Sequence, residues 1–234
     1  MAHAGSSNWN LPPPAGFRGL RDDLPLTVYQ QLLPHWRQPG ATYFVTFRLA
    51  DSLPQSKLHE LRGIKTEWER RNPPPRTESQ LDDIAREIFR RIDGWLDQGM
   101  GSCVLQEPKL AQRVVEAMHD GDGAEYELGC YVVMANHVHA VVRPLISSES
   151  DLEDIIQRWK GRSAVEINRL RGASGTLWQR ESFDRIIRDE EHLWRVIQYI
   201  GRNPRNAGID PSMCPLWIRP SWIECGWNFF EKTP

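Results

Sequence analysis

Apolar residues recur at three- and four-residue spacing in several parts of the chain, a pattern typical of amphipathic helices. Between residues 78 and 98, for example, Leu81 and Ile88 fall on the same predicted helical face. We expect the last such helix to end at Asn203, because Pro204 cannot continue a helix interior. Helices are predicted over residues 54–71, 78–98, 108–120, 152–170 and 190–202.

Four other runs are apolar or β-branched without helical spacing and predict strands. Residues 126–134 and 138–142 are joined by a short connection, so we expect them to pair as antiparallel neighbours. The other two runs are residues 41–49 and 177–187. Hairpin-joined strands mixed with helices indicate an α+β fold, with helices packed on an antiparallel sheet.

The composition changes along the chain and suggests three segments. Residues 1–34 contain Pro12-Pro13-Pro14 and little periodicity, which favours an extended N-terminal arm. Residues 35–209 carry the predicted strands and helices, and within them residues 54–120 form a predicted helical insert. Residues 210–234 are rich in Pro and Trp and are predicted to be a C-terminal tail.

The overall composition indicates a folded protein of ordinary size. The chain has 234 residues, of which 40% are hydrophobic and 26% charged, so a packed core is expected rather than disorder. No apolar run is long enough for a transmembrane helix, and the N-terminus lacks a secretory pattern. The four cysteines form no C-x-x-C pair, which argues against a zinc ribbon and a disulfide framework. We therefore expect a cytoplasmic protein with no membrane partner.

The net charge of −2 points away from nucleic acid, but the charge is unevenly distributed. Residues 155–188 contain eight basic and three acidic residues. Such a segment fits two interpretations: a surface that attracts phosphate, or an ordinary solvated helix face. Charge alone favours the second interpretation.

His137-Val138-His139 is the sharpest local feature. Alternate residues of a strand share a face and lie about 6.7 Å apart along it, so both imidazoles can converge on one metal ion. The competing interpretation is that the histidines are surface or packing residues. Because two histidines rarely make a working metal site, a third ligand is needed from elsewhere.

Tyr199 and Asn203 are the candidates for the rest of such a site. They are four residues apart in a helical pattern and therefore share a face. An Asn203 amide oxygen on the metal would place the Tyr199 phenol beside it. The alternatives are that Tyr199 is a half-buried core aromatic and that Asn203 is a helix C-cap.

Four segments in a fixed order resemble the REP-associated tyrosine transposases, a branch of the single-tyrosine HUH (IS200-like) transposases. The resemblance covers about residues 33–209. The segments are LPHWRQPGATYFVTFRLADSLP (33–54), VVMANHVHAVVRPL (132–145), LWQRESFDRIIRD (177–189) and VIQYIGRNPRNAGI (196–209). Two positions depart from the pattern: Ala135 stands where this branch usually has Pro, and Phe183 where relatives often have Tyr.

The resemblance implies a ferredoxin-like sheet with the two histidines on a central strand. It places the metal ligands at His137, His139 and Asn203, and the nucleophile at Tyr199. The implied activity is a metal-dependent DNA transposase or endonuclease, using Mg²⁺ or Mn²⁺. It would cleave and rejoin single-stranded DNA at hairpin (REP-like) elements through a 5′-phosphotyrosine.

Two other functions stay open at this point. One is a metal-dependent phosphodiesterase without a covalent intermediate, and the other is a domesticated, non-catalytic DNA-hairpin-binding protein. The protein is expected to be a monomer or a homodimer. We predict DNA contacts from the cationic segment, at Lys160, Arg162, Arg169, Arg180, Arg185 and Arg188. For Trp159, Trp178 and Trp194 we favour core packing over base stacking.

Overall fold

A computed structural model describes residues 11–30 and 34–229 of the chain. Within these residues, the predicted strands and helices occur in the predicted order, and three further strands and one further α-helix flank them. The strands are β1 (Thr27–Gln30), β2 (Pro34–Arg37), β3 (Tyr43–Arg48), β4 (Tyr126–Val133), β5 (His137–Pro144), β6 (Phe183–Ile186) and β7 (Leu216–Ile218). The helices are α1 (Gln55–Arg71), α2 (Glu78–Leu96), α3 (Pro108–His119), α4 (Leu152–Arg171), α5 (Glu190–Asn206) and α6 (Pro220–Glu224).

The main sheet has the order β6-β3-β5-β4-β7, and all its neighbouring strands are antiparallel. Its first four strands, with the α3 and α4 connections, reproduce the ferredoxin-like arrangement, and β7 extends the sheet beyond β4. The predicted α+β fold is therefore confirmed. In the β3–β5 pairing, Thr46 lies opposite His139 and Arg48 lies opposite His137.

The two faces of the sheet bury different residues. Helices α3 and α4 pack on the side that carries Val138, Ala140 and Val142, here called the α4 face. Helix α5 packs on the side that carries Phe44 and Val141, here called the α5 face. Because side chains alternate along a strand, His137 and His139 point to the α5 face.

Helices α1 and α2 form a hairpin with a small core of its own, which includes Leu61, Ile88 and Leu96. Helix α2 begins with a capping box, in which the Thr77 hydroxyl accepts from the Gln80 amide and the Gln80 side chain accepts from the Thr77 amide. Helix α3 differs, because it packs in the main core against α4 and the sheet. The domain boundaries stay a prediction.

Two predicted boundaries are wrong. Helix α5 continues through Pro204 to Asn206. Pro204 lies in the last turn of the helix, so its missing N–H removes one helical hydrogen bond and does not end the helix there. Helical hydrogen bonding is present again after Pro204, because the Ala207 amide donates to the Asn203 carbonyl at 3.1 Å. The predicted strand over residues 177–187 is regular only from Phe183 to Ile186.

A bulge explains the shortened strand. The Gln179 amide donates to the Arg48 carbonyl at 2.8 Å, and Phe183 next pairs with Thr46. Residues 180–182 therefore stand opposite one residue of β3, which makes this segment a β-bulge.

The described part of the predicted N-terminal arm runs along the sheet edge and then forms the β1–β2 hairpin. The Leu20 amide donates to the Ile187 carbonyl at 3.1 Å, and the Thr42 amide to the Arg18 carbonyl at 2.8 Å. Residues 1–10 and 31–33 of the predicted arm, and 230–234 of the predicted tail, lie outside the described residues.

Within the described residues, no helix combines the length and the apolar character that crossing a membrane requires. Cys103, Cys130, Cys214 and Cys225 are present as free thiols. Cellular location and oligomeric state stay predictions.

A buried ionic cluster holds the β1–β2 hairpin against the sheet. His35 Nδ1 lies 2.5 Å from Asp184 Oδ2, and Arg37 Nη1 lies 2.5 Å from Asp184 Oδ1. Burial disfavours the imidazolium, but the hydrogen bonds to Asp184 and Glu181 outweigh it and raise the pKa of His35 to about 9. His35 is therefore protonated at neutral pH.

This cluster predicts a pH-dependent stability. A raised pKa stabilises the fold fully below the unfolded value of about 6.5, and this contribution disappears as pH rises through about 9. Its size is about 2 to 3 kcal/mol. Urea unfolding across this range should show that His35→Gln flattens the pH dependence, whereas exposed His59→Gln preserves it. Equal pH slopes for wild type and His35→Gln would contradict the assignment.

Candidate metal and nucleophile site

Strand β5 brings His137 and His139 together on the α5 face. Their Nε2 atoms lie 3.1 Å apart, and both side chains are fully buried. Val138 between them points into the core on the opposite face. The spacing in the sequence thus gives two convergent imidazoles.

Hydrogen bonds at the far nitrogens orient both rings. His137 Nδ1 lies 2.7 Å from Asn136 Oδ1, while Asn136 Nδ2 donates to the carbonyls of Leu96 and Met100 at 3.2 and 3.1 Å. Because the amide is fixed this way, His137 Nδ1 must be the donor, which leaves a lone pair on Nε2. Thr46 Oγ1 lies 2.7 Å from His139 Nδ1 and orients that ring. Such partners are typical of metal-binding histidines.

Helix α5 brings Tyr199 and Asn203 to these rings. The Tyr199 hydroxyl lies 3.2 Å from His139 Nε2, and Asn203 Nδ2 donates to that hydroxyl at 3.3 Å. Asn203 is fully buried, and its Oδ1 atom accepts no hydrogen bond from the described residues. A buried acceptor without a donor has a free-energy cost that a cation would remove.

Asp93 of α2 is a member of this site that the sequence did not reveal. The Tyr199 hydroxyl donates to Asp93 Oδ1, which also lies 3.5 Å from His139 Nε2. Potential ligand atoms of Asp93, His137 and His139 all lie within 4.8 Å of one another. In the sequence Asp93 is one polar position of a helix 106 residues before Tyr199, so only the fold brings them together.

Burial and charge set the protonation states in the site. Burial holds the pKa of His137 well below its usual range, so its imidazole is neutral. Burial also raises the pKa of Tyr199, and the adjacent Asp93 carboxylate adds to this effect. Burial would raise the pKa of Asp93 too, but the hydrogen bond and charge of His139 outweigh it and lower that pKa. Tyr199 is therefore a neutral phenol that donates to an ionised carboxylate.

The donor set fits a divalent cation. It offers imidazole nitrogens from His137 and His139, the unsatisfied amide oxygen of Asn203, and a carboxylate oxygen of Asp93. Mn²⁺ accepts such a mixed nitrogen and oxygen set, and Mg²⁺ accepts its oxygen members more readily than its nitrogens.

Aromatic side chains enclose the nucleophile. Phe44 lies edge-on to Tyr199 with ring centroids 5.8 Å apart, and its ring is stacked with His139 at 5.5 Å. Phe183 is stacked on Phe89 at 4.2 Å. These rings restrict Tyr199 to one position beside the imidazoles.

The structure does not bring the six predicted DNA-binding residues into this centre. Lys160, Arg162 and Arg169 belong to α4, on the other side of the sheet. The Lys160 ammonium donates to the Arg180 carbonyl at 2.7 Å. Arg162 pairs with Asp120, and Arg169 pairs with Glu166.

Two of the predicted DNA-binding residues near β6 also have an acidic partner. Arg185 and Arg188 both pair with Asp82 of α2. The role of all six residues in DNA binding stays a prediction.

Two of the three tryptophans have packing roles, as favoured from the sequence. Trp159 is buried in the core of the α4 face, where its Nε1 donates to the Tyr126 hydroxyl at 2.8 Å. Trp178 is also buried, and its Nε1 donates to Ser163 Oγ at 3.0 Å.

Comparisons with known proteins add little to this geometry. No family model matches the sequence, and no curated relative does. A solved structure described as a REP-associated tyrosine transposase bound to a REP hairpin is similar over 73% of this chain and 70% of that chain. The sequence identity is 16% and the TM-score is 0.35, so this likeness carries no argument about the site.

Proposed function

We propose that this protein is a single-stranded DNA transposase that cleaves and rejoins DNA at hairpin elements through a 5′-phosphotyrosine. One observation carries the proposal: a phenol oxygen lies 3.2 Å from His139 Nε2, in a buried site shared with His137 and Asn203. A merely structural tyrosine would not require two oriented imidazoles and an unsatisfied amide oxygen beside it.

His137, His139 and Asn203 would hold Mg²⁺ or Mn²⁺, with Asp93 available as a further ligand. Such an ion supplies charge that polarises a phosphate oxygen and favours the ionised phenol. The six cationic residues predicted above would bind the DNA backbone outside the centre, from Lys160 to Arg188.

The side chains account for the covalent step. The Tyr199 oxygen attacks phosphorus, the phosphorus–O3′ bond breaks, and the DNA 3′-oxygen leaves and gains a proton. The phenol proton passes to Asp93 Oδ1, which already accepts the Tyr199 hydrogen bond, and Asp93 then gives this proton to the leaving 3′-oxygen. The reverse attack by another 3′-hydroxyl rejoins the strand and returns the proton to Tyr199. No external energy source is required, because the phosphodiester is conserved in the tyrosyl ester.

A panel of hairpin oligonucleotides incubated with Mn²⁺ tests this function. A 5′-phosphotyrosine leaves the protein on the 3′ fragment, so a 3′-end label should migrate with the protein on a denaturing gel. A 5′-end label should appear on a shorter, free strand. Release of both fragments from the protein would instead indicate a phosphodiesterase, and binding without cleavage would indicate a hairpin-binding protein.

A further inference from the structure

A small cavity adjoins the site on the α5 face. Its volume is about 110 Å³, and it lies between β3, helices α1 and α2, and the segment over residues 179–183, which includes the bulge. Two of its lining residues contact the centre directly: Thr46 hydrogen-bonds His139, and Phe89 lies edge-on to the His139 ring at 6.4 Å. The cavity therefore lies next to the centre and shares part of its wall.

Arg48 of β3 lines this cavity and is 8% exposed. Its Nη1 donates to Ser52 Oγ at 3.0 Å and contacts the Leu49 carbonyl at 3.5 Å, and both of these partners are neutral. Burial lowers the pKa of Arg48 to about 10 even though the negative charge of Glu181 acts to raise it, which reflects the cost of keeping this cation away from water. A buried cation is costly unless an anion compensates it.

The other charged groups around the cavity leave a positive balance. Arg62 of α1 also lines it, and Glu181 is the acidic residue among its described lining residues. The side chains of Gln179 and Ser182 add neutral hydrogen-bonding groups. Phe89 and Phe183 stack on each other, so they leave no slot between them for a base. The cavity thus suits an anionic group better than a stacked nucleobase.

We infer that Arg48 binds a DNA backbone phosphate next to the one held at the His137–His139 centre. Directly opposed residues of antiparallel strands have Cβ atoms about 5 Å apart, and Arg48 is opposite His137. A strand whose scissile phosphate lies at the imidazoles can therefore place a neighbouring phosphate in the cavity. The guanidinium would donate two hydrogen bonds to phosphate oxygens, whose charge would compensate the excess of two arginines over one glutamate around the cavity. This inference rests on the proposed function, since it extends the same DNA path.

Binding of a fluorescent single-stranded oligonucleotide by the Tyr199→Phe protein tests the inference without cleavage. Adding Arg48→Gln should weaken binding about tenfold. It should also lower the slope of log affinity against log salt by about 0.7, the value for one lost phosphate contact. Arg70→Gln is the matched control, because Arg70 is exposed on α1 and pairs with Glu67. Equal affinities and slopes for the Arg48 and Arg70 variants would overturn the inference.

A second measurement avoids any folding defect in Arg48→Gln. The buried Nε–H of Arg48, labelled with ¹⁵N and assigned with Arg48→Lys, should shift when the oligonucleotide is added to the Tyr199→Phe protein. It should not shift with a strand whose linkages are neutral methylphosphonates. No shift with the charged strand would also overturn the inference. If the Arg48 signal does not shift but the wild-type protein forms covalent adducts with DNA, the inference fails and the proposed function stands.

Discussion

Replacing Tyr199 by Phe is expected to abolish the covalent protein–DNA adduct, a loss of more than about 10⁴-fold, because the attacking oxygen is gone. Binding of the uncleaved strand should change little, since the imidazoles and the cationic residues remain. The variant also deprives Asp93 of one hydrogen-bond donor, at a cost of about 1 to 3 kcal/mol in unfolding free energy. The adduct is measured on denaturing gels and the affinity by fluorescence anisotropy.

Tyr131→Phe is the matched control for this prediction. Its phenol lies in the core of the α4 face and contacts His119 Nε2 at 3.2 Å, away from the imidazole pair. This variant should form adducts at the wild-type rate. Persistent adducts in Tyr199→Phe would show that another residue is the nucleophile.

Loss of one imidazole is the second large effect. His139→Ala should weaken Mn²⁺ binding by more than about 100-fold, because it removes a ligand whose ring is already oriented by Thr46. Asn203→Ala should have a smaller effect of about tenfold, since a neutral amide oxygen is the weaker ligand. Electron paramagnetic resonance of free Mn²⁺ measures both affinities without reference to catalysis.

The control for metal binding is His59→Ala, which removes an exposed histidine of α1. Its Mn²⁺ affinity should equal that of wild type. Wild-type affinity in His139→Ala would mean that the imidazole pair does not form the metal site.

The sequence was sufficient for the parts of the site that depend on local periodicity. Period-two spacing puts His137 and His139 on one face of a strand, and helical spacing puts Tyr199 and Asn203 on one face of a helix. The apolar runs around them indicate which elements pack together. The ferredoxin-like order then brings the strand and the helix into contact.

The place of Asp93 in the site could not be predicted from local periodicity. A helical pattern tells which face of α2 is apolar, but not which distant group a polar residue at its margin will meet. The same limit applies to Lys160, Arg162 and Arg169, whose charges gave no indication that α4 packs on the opposite side of the sheet. Both outcomes depend on tertiary packing rather than on local preference.

The two wrong boundaries have local causes. Pro204 lies where few helical hydrogen bonds remain to be lost, so the rule against proline in a helix interior did not apply. The bulge at residues 180–182 interrupts a run that otherwise has strand character, and its residues Glu181 and Ser182 line the cavity beside Arg48. Continuation of α5 past Asn203 keeps Tyr199 and Asn203 on one helical face.

The helical insert has a direct connection to the chemistry. Its α2 helix supplies Asp93, and the carbonyls of Leu96 and Met100 orient the Asn136 amide that fixes the His137 ring. The insert therefore helps to build the site.

Mass spectrometry of the trapped adduct tests the central claim most directly. Trypsin cuts after Arg195 and Arg202, so Tyr199 lies in the peptide VIQYIGR. After nuclease trimming of the DNA, this peptide should carry a nucleotide attached through phosphate to Tyr199. A nucleotide on any other peptide, or cleaved DNA with a free 5′-phosphate and no modified peptide, would contradict the account.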